Sequence, residues 1–228
     1  MNFPYKIQYT RRKNSIALKI SDNFVTILAP ENTSYLIINN LLKQKTNWIK
    51  KQLSINSSNF ANNQFFLFGQ KKLIRYEKAN SNYFSLCSKQ DLTLYYNKIL
   101  SFNEIMFLFE QWQKNFARKY ILARINELSS YTNLIPNKIS LKKTYNQWGS
   151  CSKNKNISLA INLICTKQAV IDYVIIHELC HLLELNHSER FWQLVQKFCA
   201  NYKEESQWLK KHNFLIRHNQ NLNFQLLN

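Results

Sequence analysis

The chain has 228 residues, 45% of them hydrophobic and 14% aromatic, with only 2 Gly and 3 Pro. That is one large domain or two small ones, and the apolar content excludes low-complexity disorder, which cannot offset the entropy of ordering. Lys+Arg is 31 against Asp+Glu 13, a formal charge of +18. Such a field favours anionic partners, with nucleic acid one of them, although the Asn-, Lys- and Ile-rich composition also fits genomic drift.

The first 30 residues read as extended: KIQYT, SIALKI and FVTILAP have strand length and apolar clustering, with turns at Lys13-Asn14 and Ser21-Asp22-Asn23. Thr33 or Ser34 then caps a helix to about Leu53, with Leu36, Ile37, Leu41 and Ile49 as its apolar stripe and Trp48 as an anchor. SINSSNFANN (54–63) reads as a loop, and QFFLFGQ, KLIRYEK, NYFSLC and DLTLYYN as short strands. Residues 1–100 are therefore expected to form a strand-rich module. From Ser101 to about Ser130 a 3.6-residue period through Phe107, Trp112, Phe116, Tyr120, Ile121 and Ile125 predicts a long helix, opening a second domain over 101–228.

KISLKK (138–143) and ISLAINLI (157–164) alternate and are expected to pair antiparallel across TYNQWGSCSKNKN. Thr166 is expected to cap a helix over 166–185, and Ser188 or Asn186 a further one, ERFWQLVQKFCANY. The fold class is thus α+β. No run of about 18 apolar residues predicts a membrane span, and MNFPYKIQYTRRKN lacks the apolar run of a signal peptide. The five Cys (87, 151, 165, 180, 199) are spread without a C-x-x-C pair, which points to free thiols and a reducing, cytoplasmic setting.

The chemistry resides in His177-Glu178-Leu179-Cys180-His181, an H-E-x-x-H sequence inside a predicted helix. Two His four residues apart share a helix face and can grip one metal ion, while Glu178 can reach a water on that metal. Chains of this composition produce the five-residue pattern by chance at a frequency of roughly 0.005, so it is read as functional. A catalytic zinc needs a third ligand, and another divalent metal is possible. His187 is preferred, since a left-handed Asn186 would swing it back to the ion; Glu184, Glu204 and Glu205 are the alternatives. A metzincin is disfavoured because Glu184 stands at the motif's Gly position and no Met follows Met106. With two glycines, a P-loop or Rossmann fingerprint is excluded.

HELCHLLELNHSERFW, with QWGSCSKNKNISLAINLI and VIDYVIIHELCHL before it and RRKNSIALKI, FVTILAP and NWIKKQL in the amino-terminal half, resembles the YgjP-like, SprT-related metal-dependent hydrolases. The resemblance covers most of the chain. It implies a zincin-like catalytic domain, zinc on His177, His181 and His187, and Glu178 as general base. Trp148, Gly149, Ser150 and Cys151 become a signature loop near the site, with Trp148, Gly149 and Ser150 as candidate substrate contacts. One departure is Gln147, where the family has Arg. The expected function is peptide hydrolysis, with hydrolysis of a nucleoside triphosphate phosphoanhydride on the same site as the alternative.

Overall fold

The structure, a computed structural model, describes residues 5–11, 15–21, 24–58, 63–86, 91–215 and 222. The expected turns at Lys13-Asn14 and Asp22-Asn23, and Cys87, lie outside the described residues. Two compact units divide the chain, Met1–Ala61 and Asn62–Asn228, so the division falls well before residue 100.

In the first unit β1 (Tyr5–Thr10), β2 (Ala17–Ser21) and β3 (Phe24–Pro30) form one sheet in the order β1-β3-β2. β3 pairs parallel with β1 and antiparallel with β2. Alternation on this central strand buries Val25, Ile27 and Ala29, which share a core with Ile38, Leu42 and Ile49 of α1 (Tyr35–Ser58). Residues 38, 42 and 49 fall within about 40° of one another around a helix, so they make the buried stripe. The expected stripe is corrected accordingly: Leu36, Ile37 and Trp48 are exposed. Ser34 does cap the helix, its Oγ accepting from the Ile37 amide. The helix also runs through the first half of the segment read as a loop.

The second unit opens with β4 (Gln64–Leu67), β5 (Gln70–Lys78), β6 (Tyr83–Leu86) and β7 (Leu92–Tyr96), a sheet in the order β4-β5-β7-β6. The two-residue turn between β4 and β5 places Phe68 and Gly69 at positive φ (51° and 76°), the geometry whose twist suits a hairpin. α2 (Phe102–Thr132) starts at a capping box in which Ser101 and Glu104 bond each other's backbone amides. Its buried face is Ile105, Phe109, Gln113, Ala117, Ile121, Ile125 and Leu128, with Phe107 exposed, contrary to expectation. Phe109 meets Phe65 and Phe84 of the sheet edge-to-face at 6.0 and 5.6 Å. Gln113 on the same helix donates a buried hydrogen bond to Asn162, 3.0 Å away. One helix therefore shares its core with the sheet before it and the elements after it, which is why the units do not part near residue 100.

β8 (Lys138–Lys142), β9 (Gly149–Cys151) and β10 (Asn156–Ala160) form a sheet in the order β8-β10-β9. β8 and β10 pair parallel, not antiparallel as expected. The hairpin is instead β9–β10, turned at Lys155 (φ 55°) and in register from Ile157↔Cys151 to Leu159↔Gly149. The alternation of β10 ends at Ala160, where a 3-10 helix (Ile161–Cys165) begins. Phe68 and Gly69 donate their amides to Ile164 and Cys165, tying the β4–β5 turn to this 3-10 helix. Thr166 closes the 3-10 helix by donating to the Leu163 carbonyl, and Lys167 takes the N-cap position of α3 (Gln168–Cys180). α4 (Glu189–Phe198), capped by Ser188, and α5 (Tyr202–Lys211) complete the unit. Among the described residues no helix is long and apolar enough to cross a membrane.

Candidate metal centre

α3 is apolar almost all round, and a helix of that kind sits inside a core. Val170, Ile171, Val174, Ile175, Ile176, Leu179 and Cys180 are all buried. Besides Gln168 and Asp172, which bond Tyr120 and Arg124 of α2, its polar residues lie at the carboxyl end: His177, Glu178 and, at the C-cap, His181. After His181 the chain turns on hydrogen bonds from the Leu183 and Glu184 amides to the Cys180 carbonyl. Asn186 is not in the left-handed region; the Ser188 amide instead donates to its carbonyl at 2.8 Å. The turn nevertheless brings His187 back over the helix end.

Ligand atoms of His177, His181 and His187 all lie within 4.8 Å of one another. The Nε2 atoms of His177 and His187 are 3.0 Å apart. Zinc at about 2.0–2.1 Å from tetrahedral nitrogens separates them by roughly 3.3–3.4 Å, so the His177–His187 pair fits such an ion with a small adjustment. His181 Nδ1 faces the Glu184 carbonyl at 2.8 Å; with Nδ1 the donor, Nε2 keeps its lone pair for a metal. Burial, reinforced by its two His neighbours, pulls the His177 pKa down to about 3. Burial also lowers that of His181, against the pull of the Glu184 carbonyl. Both imidazoles are therefore neutral near pH 7, as ligands must be.

Glu178 is 5% exposed, and burial pushes its carboxyl up to about 8. Among the described residues its Oε2, like His177 Nδ1, is buried without a hydrogen-bond partner. A buried carboxylate oxygen with nothing to bond is costly unless a ligand or water completes it. Beneath the three imidazoles lies a floor of rings. Phe191, fully buried, stacks on His181 at 4.4 Å and meets His177 and His187 at 4.9 Å each, and Trp192 stacks on His187 at 5.6 Å.

The rival ligands are placed elsewhere. Glu184 contributes its backbone carbonyl to His181. Glu205 is buried and paired with Lys167 at 2.8 Å, at the opposite end of α3, ten residues or about 15 Å of helix from His177. Neither it nor Glu204 belongs to the three-His group. His212 stacks on Trp208 at 4.0 Å with Nδ1 on the Trp208 carbonyl, and also lies outside that group. Burial pushes the Cys180 thiol up to about 12, and burial and the nearby Glu178 raise that of Cys151, so neither offers a ready thiolate.

The loop read as a signature is β9 and the residue before it. Trp148 is buried, its indole N–H donating to Asn213 Oδ1 at 3.1 Å and its carbonyl accepting from Ala160. Ser150 pairs with Ser158, and Gly149 lies against the side chain of Glu178. Because β9 ends the sheet, its outer edge is unpaired among the described residues. Sequence reasoning did not identify Asn213 or the Glu184 carbonyl; a backbone carbonyl leaves no signal in a sequence.

A family model described as YgjP-like, metallopeptidase domain, matches residues 14–212. Comparison with curated proteins found no match. Among solved structures the chain is similar to the metallopeptidase zymogen of Pyrococcus abyssi abylysin, at 19% identity and a TM-score of 0.36, covering 46% of this chain and 99% of that one.

Proposed function

The chain belongs to the YgjP-like metallopeptidase family, and from that premise we propose that it is a zinc-dependent peptidase using His177, His181 and His187 as ligands and Glu178 as general base. The coarser statement, a metal-dependent hydrolase, follows from the family itself. The observation that supports the finer reading is the convergence of three imidazoles, one of them next in sequence to a buried carboxyl whose Oε2 has no partner among the described residues. A bound zinc would act as a Lewis acid on the scissile carbonyl and acidify a water in its open position.

The chain's own residues do the rest. Glu178 receives the proton of the attacking water on its free oxygen and returns it to the leaving amine nitrogen. The Glu184 carbonyl holds His181 in one tautomer, and Phe191 fixes its ring plane. The unpaired edge of β9 at Gly149 and Ser150 offers backbone groups to an extended peptide, which would lie beside Glu178. Trp148 supports that edge from the core through Asn213.

The test offers zinc-loaded protein a peptide mixture, with cleavage ends read by mass spectrometry, and separately nucleoside triphosphates, with released pyrophosphate measured. Peptide cleavage that falls by about 10²–10⁴ in a zinc-replete Glu178→Gln variant is the expected result. Pyrophosphate release without peptide cleavage would reassign the same site to phosphoanhydrides.

A further inference from the structure

The chain has two glycines. Gly69 is explained by its φ of +76° in the β4–β5 turn, where other residues are strained. Gly149 is not in the left-handed region, and it pairs with Leu159 in ordinary antiparallel register. Backbone conformation therefore does not demand glycine there. Space does: a methyl group on Gly149 would lie 2.6 Å from Glu178 Oε1, 2.8 Å from Cγ and 2.9 Å from Cδ.

We infer that Gly149 is the positioning residue for the Glu178 carboxylate, its missing side chain being the slot in which that carboxylate lies. Neither wall of the slot is free to retreat. Glu178 projects from a helix whose neighbouring residues Ile175, Leu179 and Cys180 have no solvent exposure, so α3 cannot slide away without opening the core. On the other side β9 is held by its pairing to β10, by the Trp148 carbonyl on the Ala160 amide and by the Trp148 indole on Asn213. A side chain at 149 thus displaces the carboxylate. Moving Oε1 from 2.6 Å to ordinary contact at 3.4 Å or more requires about 0.8 Å or more of shift. A displacement near 1 Å costs a positioned catalytic group on the order of 10²-fold in rate.

This inference rests on the reading of Glu178 as the base only for its effect on rate; the packing half stands without it, and the experiment keeps the two apart. In urea unfolding of the full chain, Gly149→Ala should lower the midpoint in the wild-type background and leave it unchanged or raised in the Glu178→Ala background, where the methyl has room. Should Gly149→Ala alone fail to fold, recovery of folding in the double variant is the same result. An equal loss in both backgrounds overturns the inference. On any peptide the zinc-loaded wild type cleaves, Gly149→Ala should keep about one zinc per chain and a near-normal KM while kcat falls on the order of 10²-fold. Wild-type kcat in Gly149→Ala, or a loss confined to KM, overturns it. Full turnover in zinc-replete Glu178→Gln would defeat the base reading alone and leave the unfolding result to decide the slot.

Discussion

Phe191 offers a direct way to separate fold from site. Its ring is fully buried and touches all three imidazoles, lying nearly parallel to His181 with an interplanar angle of 22°. Phe191→Ala should destabilise the metal-free protein by about 3–5 kcal/mol, the usual cost of emptying such a site. Phe191→Leu keeps most of the apolar volume and should cost about 1–1.5 kcal/mol. What leucine cannot replace is the flat face under His181. An aromatic pair is worth about 0.5–1.5 kcal/mol beyond its buried area, so losing that orientation should weaken zinc binding by roughly 2- to 12-fold. The assay combines urea unfolding with chelator present and zinc affinity measured by competition with a chromophoric chelator. A Phe191→Leu variant with lowered stability and unchanged zinc affinity would show that the ring fills space without orienting the ligands.

The remaining predictions concern the ligands, the pH dependence and the loop anchor. His187→Ala should lose most bound zinc by metal analysis, while Glu204→Ala and Glu205→Ala keep about one ion per chain. Saturating zinc should raise the unfolding free energy by about 2.7 kcal/mol at a hundredfold excess over Kd, and a chelator should reverse the gain. In the metal-free protein the folded state refuses a proton on His177 that the unfolded chain accepts at its ordinary pKa of 6.5, so this stability contribution falls as pH drops from about 6.5 towards about 3. His177→Gln should flatten that slope, measured as the difference between variant and wild-type urea midpoints across the range. Trp148→Phe removes the indole donor to Asn213 and should cost about 1–2 kcal/mol of stability in the same unfolding assay.

The convergence of the three imidazoles is legible in the sequence because its geometry is local. His177 and His181 share a helix face by spacing alone, and His187 returns within six residues, so the sequence required only a helix and a turn. The turn itself differs from the expectation: backbone hydrogen bonds to the Cys180 and Asn186 carbonyls take the place of a left-handed asparagine. Long-range facts were not legible. β9 is three residues long, too short for an alternating pattern, and with it hidden β8 and β10 looked like the two arms of a hairpin. The fate of β4–β7 depended on Phe65 and Phe84 finding Phe109, a contact that composition cannot announce. In α1 the apolar residues outnumber the buried positions, so several stripes were possible and only packing against Val25, Ile27 and Ala29 selected Ile38, Leu42 and Ile49. Gly149 carried a signal in its rarity, but the carboxylate filling its empty side is visible only in three dimensions.

The proposed centre, three imidazoles holding one ion with a position left open, is tested most directly by X-ray absorption at the zinc edge of the loaded protein. It predicts nitrogen or oxygen neighbours only, at about 2.0–2.1 Å, with outer-shell scattering from three imidazole rings that drops to two in His187→Ala. A sulfur neighbour at about 2.3 Å, from Cys151 or Cys180, or a spectrum unchanged by His187→Ala, would contradict it.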